Sequence, residues 1–168
     1  ENTTGSRYFD FELYQTNIAY NRPTRTWTGF GPNMGHTSWT FDASGNVITP
    51  GDIIFSFEYG GSGLSLVQAR IWVNQASLSI TPANFSWGGL YDGAYNGAPY
   101  GYASIAPKTA GAFYSGLHNT LTQWAGPFGL IRQNDALVTN YAAIQYMEFS
   151  VNMSKLGLDP GHFAHNAC

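Results

Sequence analysis

The densest group of potential ligands in this chain of 168 residues lies at its end, where Asp159, His162, His165 and Cys168 recur every third residue. Carboxylate, imidazole and thiolate all coordinate divalent metals. A metal site also needs fixed geometry, and this Gly- and Asn-containing segment has no helical period to hold it, so the reading is of no metal and no cofactor. His36, in Gly35-His36-Thr37-Ser38-Trp39, and His118 stand apart from other ligands and read as hydrogen-bonded structural residues. Hydrolysis of a glycosidic bond would need a pair of carboxylates, drawn from Asp10, Glu12, Glu58, Asp92 and Glu148. Asp10, Glu12, Glu58 and Glu148 fall on the polar side of alternating segments, where solvated carboxylates are commonplace. Asp42 and Asp52 flank Ser44-Gly45-Asn46 and could offer oxygens to calcium. The loop lacks the regular spacing and closing Glu of an EF-hand, which leaves turn chemistry as the better account. With no Gly-x-Ser-x-Gly elbow, phosphate loop or dinucleotide fingerprint, the chain reads as a non-enzyme with no catalytic residue.

Rings are what the chain has in excess: five Trp, eleven Tyr and eleven Phe. Trp72 shares a predicted strand face with Arg70 and Gln68, while Tyr91, Asp92, Tyr95, Tyr100 and Tyr102 gather around Asn96. Flat rings beside amides and a carboxylate suit a sugar face or a protein contact. A second, covered face of a sheet would use the same residues.

Charge is scarce. Only 10% of residues are charged, against about 25% in an ordinary soluble domain. The formal charge is −3, from seven Lys and Arg against ten Asp and Glu, and the only lysines are Lys108 and Lys155. No basic patch exists to neutralise phosphates or anionic lipid, which excludes nucleic acid as a partner. No apolar run approaches the ~20 residues of a membrane-spanning helix. A start at Glu1 without a basic and apolar leader is expected of a mature chain whose export signal has gone. Low charge, many hydroxyls and amides, and Asn-x-Ser/Thr triplets at Asn2, Asn84 and Asn152 favour an extracellular or cell-surface location, with those three asparagines as glycosylation candidates. The lone thiol, Cys168, suggests a bond outside this chain or a boundary cut through a longer domain.

These residues must be positioned by strands. Tyr8 to Gln15 alternates, with Phe9, Phe11 and Leu13 on one face and Tyr8, Asp10, Glu12 and Tyr14 on the other. Asn17 to Gly35 loses the period and reads as a long loop or irregular edge. Trp39 to Thr49 reads as a hairpin turning at Ala43-Ser44-Gly45-Asn46. Asp52 to Tyr59 and Leu66 to Val73 form the most secure central pair, turning through Gly60-Gly61-Ser62-Gly63. Leu78 to Ile80 and Phe85 to Leu90 are short strand candidates, and Tyr91 to Tyr102 reads as an exposed aromatic loop. Ala110 to Trp124 is the one place with helical spacing, opposed by Gly111 and Gly116. Tyr141 to Val151 is a further strand, and Ser154 to Leu158 a short helical turn stopped by Asp159-Pro160-Gly161. Many short strands and almost no helix predict one all-β domain over residues 1–168, a mainly antiparallel β-sandwich of jelly-roll or immunoglobulin-like kind. Its core would gather Phe55, Phe57, Val67, Ala69, Ile71, Phe149 and Val151 between two sheets.

The runs FDFELY (9–14), GHTSWTFDASGNV (35–47), PGDIIFSFEY (50–59), ARIWV (69–73), YGYASI (100–105) and MEFSVNMSKLGLDP (147–160) resemble an uncharacterised β-sandwich module of large secreted and surface-anchored bacterial proteins. The resemblance implies a non-enzymatic extracellular module in an adhesive or wall-associated setting, and no active-site residue. In such modules the chain continues past the position matching Cys168 into further β segments, so the domain is expected to lack a closing strand. Two functions follow. In one, the chain self-associates into a surface fibre by β-strand complementation, with Phe9, Phe11 and Leu13 of one subunit filling pockets of the next. In the other, it is a carbohydrate-binding module that takes glycans on its Tyr and Trp face.

Overall fold

The computed structural model describes residues 6–16, 18–29, 35–93, 99–132, 134–156 and 158. Among them the regular structure is β-strand apart from 3-10 structure at Gly35 and over Gln75–Ser79. The central element is a five-stranded sheet. Its order is β1 (Arg7–Leu13), β6 (Ile53–Gly60), β7 (Gly63–Asn74), β9 (Tyr100–Pro107), β8 (Phe85–Tyr91). Five two-stranded sheets accompany it: β2 (Ile18–Asn21) with β3 (Thr26–Gly29), β4 (Thr40–Phe41) with β5 (Val47–Thr49), β10 (Tyr114–His118) with β15 (Met147–Val151), β11 (Gln123–Trp124) with β14 (Asn140–Tyr141), and β12 (Leu130–Ile131) with β13 (Leu137–Val138). The mainly antiparallel, sandwich-like all-β architecture is the one that alternation and turn signals predict.

Two compact units emerge where the sequence reads as one domain. The larger comprises Asp10–Ser56, Gln68–Phe113 and Asn152–Cys168; the smaller comprises Glu1–Phe9, Phe57–Val67 and Tyr114–Val151. The core of the larger unit follows from strict alternation. In β6, Ile53 and Phe55 point inward, and in β7 Ala69, Ile71 and Val73 do, all fully buried. Antiparallel β9 meets them in register, Ala69 opposite Ile105 and Ile71 opposite Ala103. Trp39, Phe85 and Phe113 complete this core. Its ring contacts run edge to face, Phe41 on Phe85 and Trp87, and Phe85 on Phe113, the geometry that aligns ring edges with electron-rich faces.

The smaller unit packs Phe57 against Phe149 at 4.6 Å between ring centroids. Gly116 lets β10 approach this closely, because a Cβ there would stand 2.8 Å from Leu64 Cδ2 and 3.1 Å from Val67 Cγ2. Gly63 has a second constraint. Its φ is +103°, and a side chain would collide with the His118 ring, whose Nδ1 accepts the Leu64 N–H at 3.2 Å. Val67, Phe149 and Val151 are half-buried, so the expected seven-residue core divides: Phe55, Ala69 and Ile71 belong to the larger unit, and Phe57, Val67, Phe149 and Val151 to the smaller.

Several local expectations are corrected. Residues 18–29, expected as a long loop or irregular edge, form the regular β2–β3 hairpin, Ile18 opposite Gly29 and Asn21 opposite Thr26; the apolar positions are too few for alternation to register. Ala110 to Trp124 is not helical but holds β10 and β11, as its two glycines warned. Leu78 and Ser79 lie in the 3-10 segment, started by the Asn74 side chain capping Ala76 N–H at 2.8 Å. Of Tyr141 to Val151, only Met147–Val151 continues as a strand beyond β14.

The largest correction concerns β1. As a donor strand it would lie in a neighbouring molecule; it is instead hydrogen-bonded beside β6 of its own chain. The face that anchors it is the polar one. Tyr8 O–H donates to Glu58 at 3.2 Å, Asp10 accepts from Ser56 Oγ at 2.5 Å, and Glu12 accepts from Tyr102 and Tyr14. Phe9 and Phe11, expected to fill pockets, are about half exposed, and Leu13 is half-buried. Alternation reveals a two-residue period and does not say which face will be covered.

Candidate functional site

Two regions collect polar and aromatic groups, and each lies within one unit. In the larger unit the carboxylate of Asp52 is fully shielded from solvent. Its Oδ2 lies 2.9 Å from His36 Nδ1 and accepts the Thr37 N–H at 3.1 Å; its Oδ1 accepts the Gln15 N–H at 2.8 Å. Its backbone carbonyl accepts Trp39 Nε1 at 3.0 Å. An acceptor-only carboxylate fixes the His36 proton on Nδ1. The imidazole then stacks on Trp72, 4.2 Å between centroids and 21° between planes.

Beside it, Glu12 is gripped by two phenols. Tyr14 O–H donates to Oε2 at 2.5 Å and Tyr102 O–H to Oε1. Burial first, then these bonds to Glu12, push the Tyr14 and Tyr102 hydroxyls well above the ordinary tyrosine range, because an ionised phenolate would be both desolvated and opposed by the carboxylate. Arg70 continues the network, its Nη2 donating to Ser56 Oγ at 2.8 Å and lying 3.7 Å from Asp10.

An Asp-oriented imidazole is half of a nucleophile-activating arrangement. Among the described residues no serine, threonine or cysteine bonds to His36, and the second half is not formed there. What the network does is tie β1, the 35–39 segment and the face of β7 and β9 together.

That outcome revises the aromatic contact surface expected from sequence. Trp72 has one ring face covered by His36, and Tyr102 is only 7% exposed. Arg70, Tyr91 and Tyr100 are half-buried. Asp92 is exposed, yet its Oδ1 is engaged as acceptor for the Tyr102 N–H at 2.6 Å. These residues form a partly covered face in which Arg70, Asp92 and Tyr102 are engaged within the fold. Tyr95 lies outside the described residues, as do Asn2 and the segment with Asp159, His162, His165 and Cys168. Asn84 and Asn152 are exposed, although Asn152 Oδ1 also accepts the Lys155 N–H at 3.0 Å. Asp42 is a turn residue, accepting from Ser44 and Asn46 backbone N–H groups and the Asn46 side chain at 2.8–3.0 Å. Those bonds, the Asn46 side chain first, hold its carboxyl below the ordinary range.

Sequence reasoning missed the second region. The smaller unit carries an open cleft of about 570 Å³ lined by Leu117, Gln123, Trp124, Tyr141, Tyr146 and Glu148, with His118, Asn119 and Thr120 beside them. Strand pairing explains how scattered residues meet there. Leu117 is directly opposite Glu148 in the β10–β15 pair, and Gln123 opposite Tyr141 in the β11–β14 pair. The Tyr141 and Tyr146 rings lie 5.3 Å apart at 33°, and Trp124 is 69% exposed. Tyr146 O–H donates to Glu148 Oε2 at 3.2 Å, and that bond is the first cause raising the Tyr146 hydroxyl above the ordinary range.

Asn119, 6% exposed, braces the cleft from below. Its Oδ1 accepts the Tyr146 N–H at 2.8 Å, its Nδ2 donates to the Leu121 and Ala142 carbonyls at 2.8 and 2.7 Å, and its backbone bonds Tyr146 and Ile144. Of its lining, sequence reasoning singles out only Glu148, as a solvated carboxylate, and His118, as a structural histidine.

Fold and sites together define an all-β protein with a buried polar tie in one unit and an open aromatic cleft in the other. Comparison with protein-family models, with curated proteins and with solved structures gave no match.

Proposed function

We propose that this chain is a non-enzymatic extracellular or cell-surface adhesive module that binds carbohydrate through the Trp124–Tyr141–Tyr146 cleft. The observation that carries the reading is an exposed indole and two neighbouring phenol rings sharing one cleft with a glutamine amide and a carboxylate. Rings offer apolar faces to the C–H side of a sugar, and the amide and carboxylate meet its hydroxyls. Sparse charge, and the exposed Asn84 and Asn152 of two Asn-x-Ser/Thr triplets, support the extracellular setting. Assembly through a donated β1 is not retained, since β1 is anchored within its own sheet. The test is affinity electrophoresis through gels containing neutral and amino polysaccharides, followed by titration with oligosaccharides of any that retard the protein. Trp124→Ala should weaken binding about tenfold, the scale of one lost aromatic contact. Retardation by none of the polysaccharides, or unchanged affinity in Trp124→Ala, would overturn the reading.

A further inference from the structure

We infer that the cleft of the smaller unit selects sugars bearing a free, protonated amino group. This rests on the carbohydrate reading above and sharpens it to a ligand class. Glu148 is the one acidic side chain lining the cleft among the described residues, and no lysine or arginine lines it. Three of the neutral polar side chains nearby are engaged elsewhere. Asn119 spends both ends of its amide on Tyr146, Leu121 and Ala142. His118 spends Nδ1 on the Leu64 N–H, and Tyr146 directs its hydroxyl proton at Glu148.

The strongest group facing a ligand is therefore an exposed carboxylate, which only accepts hydrogen bonds. A sugar hydroxyl can donate to it, but an ammonium donates a charge-assisted bond of about twice the strength. The Tyr141 and Tyr146 rings beside it add the attraction of aromatic faces for a cation. A uronate or sulfated sugar would meet like charge with no lysine or arginine in the lining to offset it. The chemistry thus favours an amino-hexose unit over its acetylated, neutral or anionic counterparts.

The experiment is calorimetric titration of the full chain, at moderate salt and at a pH below the pKa of the sugar amine, with short oligomers of glucosamine, N-acetylglucosamine, glucose and glucuronate. The glucosamine oligomer should bind about tenfold tighter than its acetylated partner, the scale of a hydrogen bond to a charged group. Glu148→Gln should abolish that preference, weakening the glucosamine oligomer about tenfold more than the acetylated one. Asp135→Asn is the control. It removes an equal charge at an exposed position whose φ of 60° asparagine also tolerates, and it should keep the preference. Equal affinity for the neutral and amino oligomers would overturn the selectivity while leaving carbohydrate binding intact. Preference that survives Glu148→Gln would overturn it too, as general attraction to an acidic chain. Binding of no oligomer would remove both this inference and the reading beneath it.

Discussion

The same chemical pair, a tyrosine hydroxyl donating to a glutamate, occurs in both units with opposite consequences. In the larger unit Tyr102 is 7% exposed and its partner Glu12 also takes Tyr14. In the smaller unit Tyr146 is 36% exposed and Glu148 faces solvent. The causes of the raised phenol pKa are ordered accordingly, burial first for Tyr102 and the carboxylate hydrogen bond first for Tyr146. A pair drawn largely out of water, as here with Tyr102 buried and Glu12 half-buried, is committed to stability, since opening it leaves groups that are costly to satisfy otherwise. An exposed pair contributes little to folding and keeps its capacity for a ligand.

Three substitutions would break or sharpen that contrast. The largest effect is expected at Asp52. Replacing it by Ala strips the acceptor from the Gln15 and Thr37 N–H groups and from His36, at a cost of about 3 to 5 kcal/mol. Chemical denaturation reads this directly, and a loss below about 1 kcal/mol would mean that the network is not a structural tie.

Next is Tyr102→Phe, which leaves one Glu12 oxygen without its donor and should cost about 1 to 2 kcal/mol, with glycan affinity unchanged. Alkaline pH probes the same hydroxyls. Their folded-state pKa values stand above the unfolded one, so their stabilisation is fully present below pH about 10 and is lost as pH rises toward the folded values. The melting temperature should therefore fall above that pH, and less steeply in Tyr102→Phe. An identical alkaline profile in the variant would contradict the assignment.

The smallest effect on folding is expected at Trp124. With 69% of its surface exposed, replacement by Ala should change stability by no more than about 0.5 kcal/mol. Loss of binding without loss of stability would mark the cleft as a ligand site; a large destabilisation would move it to the same class as the network.

The fold was legible where one face is buried and turns are local. Alternation from Ile53 to Tyr59 and from Val67 to Val73 marks β6 and β7 and their inward side chains correctly, and Asp42 to Asn46 turns as its residues suggest. The sites were less legible because they are made by distant pairs. Glu12 and Tyr102 are 90 positions apart, and Gln15 and Asp52 are 37 apart. Asp52 follows Pro50-Gly51 and therefore reads as turn punctuation; only the fold reveals that it is fully buried. His36 read as isolated for the same reason. Tyr141, Tyr146 and Glu148 read as parts of one strand, whereas the chain turns between β14 and β15 and brings them round the cleft with Trp124.

The clasp at Asn119 has a consequence for how this protein can change. It joins the end of β10 to the approach to β15, and its hydrogen bonds seal the base of the excursion over residues 120–145. Closing a loop costs free energy that grows only with the logarithm of its length. The excursion can therefore be lengthened, shortened or exchanged while the strands beneath it keep their pairing. It behaves as an interchangeable cassette on a fixed mount, and it carries Trp124 and Tyr141. Sequence drift, or a designer's substitution, can alter what the cleft recognises without renegotiating the fold.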